Sequence, residues 1–320
     1  MVPIIWIFFL TSTLAADPQS GTYEGRLISQ IRYVDLRTTQ SLVIDRELQV
    51  HQGLPFHSAD LEESAQRLRN LMIFIRVDAE VSEAKEAPGK VDVTFTFLEK
   101  WTILPIIKVG GAGDVQYFQL GVYDVNFLGR YLELGARYDN IASRSSGLVW
   151  YRDPRLLGVR IRFGLDVASI TRLRGVYTAA GALDRSFALQ RRQIVTFLES
   201  EIDPRFTLGL SLDLRFDRLT NEGLTYAQNQ VNAAQSFTPS GFSRTPTASG
   251  YFAIGRIDYD DFLADGHQTR VRLSKSIGKW ATASIHSMDL ETGHHFRLLQ
   301  DHNLAIRAQV AATSSQTLQD

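Results

Sequence analysis

The stretch LGLSLDLRFD at residues 208–217 decides the fold. Leucine or phenylalanine occupies every even position from 208 to 216, and Gly, Ser, Asp and Arg occupy the odd positions between them. Successive side chains of a strand point to opposite faces, so one face of this segment is apolar and the other is polar. The pattern predicts a strand with one side towards lipid and the other towards water.

The same alternation recurs through most of the chain, for example at residues 132–139, 159–167 and 304–310. Roughly ten such segments lie between Ile103 and Ser315, many of them nearer to the 9–11 residues of a spanning strand than to the five or six of a soluble one. We therefore expect an antiparallel transmembrane β-barrel over residues 101–320. A soluble β-sandwich remains the alternative, because its strands alternate too.

The connections between these segments are of two kinds. Leu128–Arg130 and Asp203-Pro204 are tight, whereas the polar stretch from Asn221 to Thr247 is long and has no helix signal. Short turns at one end and long loops at the other are typical of outer-membrane barrels. We expect residues 221–247 to form an outer loop.

The N-terminus has the pattern of a secretory signal peptide. Residues 2–10 are apolar, and small residues follow up to Ala16. The apolar run is too short to span a membrane, which predicts cleavage after Ala15 or Ala16 and a mature chain that begins near residue 17. No Lys or Arg precedes the run, so a misassigned start of the chain and a buried strand are the alternatives.

Residues 17–100 have a mixed pattern that predicts an α+β module. Ser58 is a candidate N-cap for a helix whose apolar stripe has helical spacing. That stripe comprises Leu61, Ala65, Leu68 and Met72. The predicted order is strand, helix, helix, strand, strand, with these elements at residues 26–36, 41–48, 58–72, 74–82 and 91–97.

Composition excludes several classes of function. The 320 residues carry 34 Lys and Arg against 35 Asp and Glu, so no basic field attracts nucleic acid. There is no Cys, which removes disulfides, thiolate nucleophiles and Cys-ligated zinc.

No motif predicts catalysis, a metal or a cofactor. His294 and His295 are adjacent on a strand and point to opposite faces, so they cannot chelate one ion together. Three other groups of residues receive structural interpretations. We interpret Asp258, Asp260 and Asp261 as strand-end and lumenal charges, and Gly110, Gly111 and Gly113 as a hairpin turn. The third group consists of lumenal arginines that pair with acids or line a selective pore: Arg160, Arg162, Arg191, Arg192, Arg215 and Arg256. We expect a protein that is not an enzyme.

Several short segments, taken in order, resemble one known family. They are Gly53–Phe56 with Leu61; Arg67-Leu68 and Leu71–Phe74; Val91–Val93 leading to Glu99–Trp101; Gly121–Arg130 with Leu132–Leu134; and Asp258–Asp261 with Gly266. The chain from about Arg26 onward is similar to the outer-membrane insertases and translocases that carry periplasmic POTRA modules, also called the bacterial surface antigen family. The resemblance implies a single POTRA module at residues 17–100.

The resemblance also implies a function without a chemical reaction, in the bacterial outer membrane with the module in the periplasm. A POTRA module binds unfolded outer-membrane or secreted polypeptides by adding a client strand to a sheet edge. Family topology places that edge at Ile75, Arg76, Val77, Asp78, Ala79, Glu80 and Val81. The first strand of a barrel seam that opens laterally would carry Leu104, Ile106 and Lys108. Further partners implied are outer-membrane lipid, accessory lipoproteins and periplasmic chaperones.

Two departures from the family pattern predict an incomplete barrel. Family barrels have about sixteen strands against the roughly ten counted here, and the family's Val-Arg-Gly-Tyr or -Phe motif and terminal aromatic strand are absent. We expect a C-terminally truncated sequence, and a degenerate member of the family is the alternative. Three other functions are the alternatives to an insertase. The first is a dedicated secretion pore, although residues 17–24 leave no room for its plug helix and linker. The others are a passive porin or receptor, and an outer-membrane hydrolase that would depend on His286 or His294.

Overall fold

The computed structural model describes residues 20–112, 115–181, 183–220, 242–278, 281–299 and 302–317. The predicted signal peptide and residues 221–241 of the predicted outer loop lie outside these ranges. The described chain forms a small α/β module followed by one large antiparallel sheet.

The module contains three strands and two helices in the predicted order. Its elements are a 3₁₀ turn Ser20–Tyr23, β1 Ile28–Val34, α1 Ser41–Asp45, α2 Ser58–Arg69, β2 Phe74–Glu83 and β3 Val91–Glu99. The strand order is β1-β3-β2, with β1 parallel and β2 antiparallel to the central β3. The first strand and both helices are shorter than the sequence pattern predicts.

The module has its own hydrophobic core. Val91, Val93 and Phe95 of β3 are fully buried, and they belong to one cluster with Leu61 and Leu68 of α2. The alternation on β3 and the helical spacing on α2 direct these side chains to the same layer. This part of the chain therefore folds as a helix layer on a sheet.

Two details of α2 differ from the prediction. Ser58 is the first helical residue and not the cap; its N–H donates to Oε2 of Glu24 at 3.0 Å, and the preceding His57 makes no side-chain cap. The carboxylate reaches the helix N-terminus from outside the segment, which local sequence does not reveal. Met72 is not on the buried stripe, because the helix ends at Arg69 and Met72 has a φ of 61° and is exposed.

The large sheet contains twelve strands. They are β4 Ile103–Ala112, β5 Val115–Phe127, β6 Leu132–Ile141, β7 Arg144–Asp153, β8 Ile161–Tyr177, β9 Leu183–Asp203, β10 Phe206–Thr220, β11 Phe242–Arg244, β12 Thr247–Asp260, β13 Leu263–Ser276, β14 Ala283–Leu299 and β15 His302–Thr317. Each strand pairs with its neighbour in sequence, except that β10 pairs with both β12 and the short β11. Such an antiparallel meander is the predicted architecture.

The two faces of this sheet differ as the sequence predicts. Leu208 and Leu210 on β10 are 43% and 69% exposed, and we call their side of the sheet the exterior face. The opposite, interior face is crowded: the Tyr251 ring covers Gly209, where a Cβ atom would lie 2.0 Å from the ring. Within the described residues, the extended hydrophobic core lies entirely in the module, at residues 28–97. The apolar side chains of the large sheet are thus not covered by a second layer, as they would be in a sandwich.

The ends of the strands carry two corrections. Gly110 and Gly111 lie inside β4, paired with Tyr117 and Gln116 respectively, and therefore do not form the predicted turn. The third glycine, Gly113, lies outside the described residues. Residues 242–244 belong to β11 and not to a structureless loop. No helix among the described residues is long and apolar enough to cross a membrane.

Candidate functional site

The first candidate site is the outer edge of the module's sheet. Within the described chain β2 pairs with β3 alone, so one side of its backbone has no strand partner. Val77 is buried against the core, whereas Arg76 and Asp78 form an exposed ion pair at 2.8 Å on the other face. The strand is therefore anchored by one face and accessible along its edge.

The backbone of β2 alternates between β3 and the open side. Nη1 of Arg69 donates to the carbonyl of Val77 at 3.5 Å, a long hydrogen bond that marks this carbonyl as turned away from β3. In an antiparallel strand the N–H and C=O of one residue point the same way and the direction alternates. Val77, Ala79 and Val81 therefore present the open N–H and C=O groups. Ile75 is 44% exposed beside a bulge in the register between Phe74 and Arg76.

The second candidate site is the pair of terminal strands of the large sheet. Among the described residues, β4 pairs only with β5 and β15 only with β14. Leu104, Ile106 and Lys108 of the predicted seam face the interior, in register with Tyr123, Gly121 and Gln119. The exterior face of β4 is instead formed by residues such as Val109, which is 81% exposed.

Pro105 fits the terminal position of β4. Proline lacks a backbone N–H and is confined to edge strands, bulges and strand starts. A proline within a central strand would leave the neighbouring carbonyl without a donor.

The third feature is the docking of the module onto the tight turns of the large sheet. Glu47, which follows α1 and is 1% exposed, binds Arg155 of the β7–β8 connection through two hydrogen bonds of 2.7 Å. Burial acts against the charge of Arg155, but its hydrogen bonds to Glu47 prevail and raise its pKa. Arg155 also lies 3.6 Å from Glu201 at the end of β9. This buried bidentate pair joins the module to the middle of the sheet.

Helix α2 makes a second contact, with the end of β12 that leads into the β12–β13 turn. Oε1 and Oε2 of Glu63 accept hydrogen bonds from Arg256 at 2.8 and 3.0 Å. Burial opposes the charge of Glu63, yet the bonds from Arg256 and Arg67 outweigh it and hold its pKa below the usual value. Nδ2 of Asn70 donates to Asp258 at 2.8 Å. Arg256 and Asp258 therefore act at this interface, and not as pore-lining charges.

The loop before α1 makes a third contact, with the β5–β6 turn. The N–H of Gln40 donates to the carbonyl of Gly129 at 2.8 Å, and Nδ2 of the buried Asn126 donates to Oγ1 of Thr39 at 2.9 Å. Gly129 has a φ of 70°, and a Cβ atom there would lie 2.1 Å from the carbonyl oxygen of Thr38. Only glycine allows this approach, which gives a structural reason for the Asn126–Gly129 segment noted in the sequence.

These three contacts place the module against the tight-turn end of the sheet. A polar cavity of about 230 Å³ remains between them. Its lining includes Arg67, Tyr131, Arg162, Glu201 and Gln268. The three turns belong to β5–β6, β7–β8 and β12–β13, so the sheet curls around the module that contacts them all.

Most of the arginines singled out in the sequence pair with acids on the interior face or at its turn end. The pairs are Arg160–Glu201, Arg162–Glu199, Arg191–Asp217 and Arg215–Asp213. Arg192 is the exception: it lies on the exterior face, because it follows the interior Arg191 on the same strand. The interpretation of Arg192 as a lumenal residue was wrong.

The histidines do not form a catalytic arrangement in the described chain. His294 lies on the exterior face and stacks on His267 of the neighbouring strand, with ring centroids 5.6 Å apart. His295 is largely buried on the opposite face. His286 is also on the exterior face, opposite Lys275.

Comparison with known proteins gives a fold and no family assignment. No family model matches the chain. Solved structures of similar fold include BamA from Haemophilus ducreyi lacking POTRA domains 1–3, with a TM-score of 0.57 and 14% identity over 92% of this chain and 56% of that one. CdiB from Acinetobacter baumannii has a TM-score of 0.52 and 15% identity over 93% of this chain and 54% of that one. CdiB from Escherichia coli has a TM-score of 0.57 and 12% identity over 95% and 58%.

The chain thus spans little more than half the length of the solved proteins that it matches. It has the fold of the BamA and CdiB barrels, with one large antiparallel sheet and a small sheet with helices beside it.

Proposed function

We propose that this chain belongs to an outer-membrane assembly factor that captures unfolded polypeptide at the module and inserts or translocates it through the barrel. The observation that carries the proposal is the open edge of each of the two sheets. Within the described chain, each sheet has a terminal strand that lacks a partner on one side. Main-chain hydrogen bonds to such an edge give affinity with little dependence on client sequence.

In the proposal, β2 receives the client first. The open N–H and C=O groups of Val77, Ala79 and Val81 would pair with an extended client segment, and Ile75 would contact its apolar side chains. The long hydrogen bond from Arg69 to the Val77 carbonyl is weak enough to be displaced. This module corresponds to the POTRA module that the sequence resemblance implies at residues 17–100.

The seam of the large sheet receives the client next. An unpaired N–H or C=O group in lipid costs several kcal/mol, so β4 and β15 need strand partners in a membrane. We propose that further strands complete the barrel and that the open edge of β4, the strand that carries Leu104, Ile106 and Lys108, pairs with client strands during insertion. Since Val125 donates to the carbonyl of Thr102, the alternation along β4 turns the backbone groups of Ile107 and Val109 to that open edge. The docked module lies at the same end as the tight turns, which fits a periplasmic position for both.

The location proposed is the bacterial outer membrane, reached through the signal peptide at residues 1–16. Exposed apolar side chains on the exterior face support contact with lipid. Periplasmic chaperones and accessory lipoproteins are proposed partners in client delivery. No catalytic step or cofactor is part of the proposal.

A dedicated secretion pore is the second candidate, and the likeness to the two CdiB structures favours it. Such a pore would serve one exported polypeptide. An assembly factor would instead serve many outer-membrane barrels.

Replacing Ala79 by proline tests the proposal, because it removes one open N–H and leaves the pairs with β3 intact. Ala79→Val is the matched control, since it keeps the N–H and suits a strand. In cells that depend on the gene, we expect the proline variant to lose folded outer-membrane barrels, measured by heat-modifiable mobility, while the valine variant retains them.

Other outcomes separate the alternatives. Loss of one exported polypeptide with normal barrel assembly would identify a secretion pore. Normal assembly and export in the proline variant, together with ion conductance that survives deletion of residues 17–100, would identify a passive porin and refute capture at β2.

A further inference from the structure

The exterior face changes from apolar to polar at a defined level. Along β10, the exterior side chains from Phe206 to Phe216 are all apolar, and the next one is Arg218. Along β9, the exterior residue Ile194 is followed on the same face by Arg192 and Gln190. The apolar band therefore ends at Ile194 and Phe216, away from the tight turns.

Arg192 lies just beyond this band. It is eleven residues from Asp203 at the turn end of β9, and at ~3.3 Å per residue with a tilt of ~40° this places it about 28 Å above the turns. The lipid-facing apolar band of such barrels is about 25 Å tall. Arg192 is thus at the level of the lipid head groups of the leaflet opposite the module.

A second arginine stands close to the first. Phe216 of β10 is in register with Arg192 on one side and with Arg244 of β11 on the other. Strands lie about 4.8 Å apart, so the two arginine Cα atoms are separated by roughly 10 Å. Both side chains are exposed, and neither has an ion-pair partner within the ranges that the structure describes. Two free guanidinium groups therefore flank one aromatic ring at the edge of the apolar band.

Below and beside Arg192 the exterior face forms a shallow trough of about 1020 Å³. Its floor is made of small residues, Ala136, Gly147 and Ser169, and its walls of larger apolar side chains such as Val122 and Ile194. A Cβ atom built on Gly147 would have only one neighbour within 4 Å, a backbone oxygen at 4.0 Å, so the space above it is open.

We propose that the trough, together with Arg192 and Arg244, binds a phosphate-bearing lipid of the outer leaflet. The acyl chains occupy the trough, and the phosphate lies between the two guanidinium groups, whose planar forks match phosphate oxygens. Lipid tails contact any apolar surface equally well, so the selectivity resides in the arginines and the trough fixes the position of the chains. The inference rests on the membrane location in the proposed function, but not on client capture.

The test compares two lipids with identical acyl chains, phosphatidic acid and diacylglycerol, on the full chain in detergent micelles. Binding is measured by native mass spectrometry, with heat-modifiable mobility as a check that each variant is folded. We expect phosphatidic acid to bind about tenfold more tightly, the change that one charge-assisted hydrogen bond supplies. Arg192→Gln and Arg244→Gln should each remove most of that preference, whereas Arg205→Gln, at an exposed turn at the other end, should leave it unchanged.

Gly147→Leu provides an independent variant, because it fills the trough and leaves both arginines in place. It should weaken phosphatidic acid binding by about tenfold, since the side chain displaces an acyl chain from the trough floor. Inorganic phosphate at millimolar concentration should not compete with the lipid.

Equal binding of the two lipids would overturn the inference, and so would a preference for phosphatidic acid that survives in the double variant Arg192→Gln, Arg244→Gln. Full competition by inorganic phosphate would also overturn it, because it would indicate a site for the free anion. In each case a chain that is folded in micelles leaves the proposed function standing. A chain that stays soluble without detergent would refute the membrane location and the lipid site together.

Discussion

The buried pair of Glu47 and Arg155 provides the sharpest test of how the module is held. Replacing Glu47 by glutamine keeps the size of the side chain and one acceptor oxygen, but it removes the charge and turns an amide NH₂ towards the guanidinium. The two hydrogen bonds of 2.7 Å then become at most one.

The expected magnitude follows from the burial. Removing one partner of a buried ion pair costs about 3–5 kcal/mol, because the other charge stays buried. The Arg155 side chain is 14% exposed and retains Glu201 at 3.6 Å, which lowers the expected cost to about 2–3 kcal/mol. A change of this size shifts the equilibrium between docked and undocked module by roughly 30- to 150-fold.

The distance distribution between two spin labels, obtained by pulsed electron paramagnetic resonance, measures this equilibrium. The chain has no Cys, so labels can be placed cleanly at Gln52→Cys in the module and at Arg205→Cys in the β9–β10 turn. We expect one narrow distance in the parent chain and a second, broad population in Glu47→Gln. Glu62→Gln is the control, since its side chain is 66% exposed and its partner lies on the same helix, so a change of at most about 1 kcal/mol is expected.

A double-mutant cycle with Arg155→Met decides whether the pair itself is responsible. If it is, the double variant will be less perturbed than the sum of the two single variants. Additive effects, or a narrow distance in Glu47→Gln, would refute the view that this ion pair fixes the module.

Two further predictions concern packing and pH. Gly209→Ala should destabilise the large sheet by about 1–3 kcal/mol, because a Cβ atom overlaps the Tyr251 ring. Gly250→Ala is the control and should be tolerated, since its Cβ would meet only a side-chain atom of Leu210 at 3.8 Å. Urea titration of the folded fraction in micelles compares the two variants. Burial opposes ionisation of Glu99, but the hydrogen bonds from residues 38 and 39 lower its pKa. The stabilisation that ionised Glu99 gives to the folded state should therefore be complete above its unfolded pKa and be lost as the pH falls through the lower folded pKa. In urea titrations at several pH values, Glu99→Gln should reduce the loss of unfolding free energy at acid pH.

The sequence predicts the large sheet well because the information is local. On β10 apolar and polar residues alternate, so the local sequence alone predicts which face contacts lipid and which contacts water. The core of the module is predicted for the same reason, since Val93, Phe95 and Leu68 follow strand and helix periods.

The interface between module and sheet is not predictable in this way. Glu47 and Arg155 are 108 residues apart, and neither lies on a periodic face that marks it as buried. Arg256 has the alternation of a pore arginine, yet it binds Glu63 because the module lies against that turn. The displaced cap of α2 has the same origin, since Glu24 belongs to a different segment.

The lipid-facing side of the strands is the central claim, and nitroxide accessibility along residues 208–216 tests it most directly. Single Cys variants at each position other than Gly209 are labelled in the chain reconstituted in lipid. Collisions with dissolved oxygen should peak at the even residues and collisions with a water-soluble nickel complex at the odd ones, with a period of two. Equal accessibility to the nickel complex at even and odd positions would contradict the account.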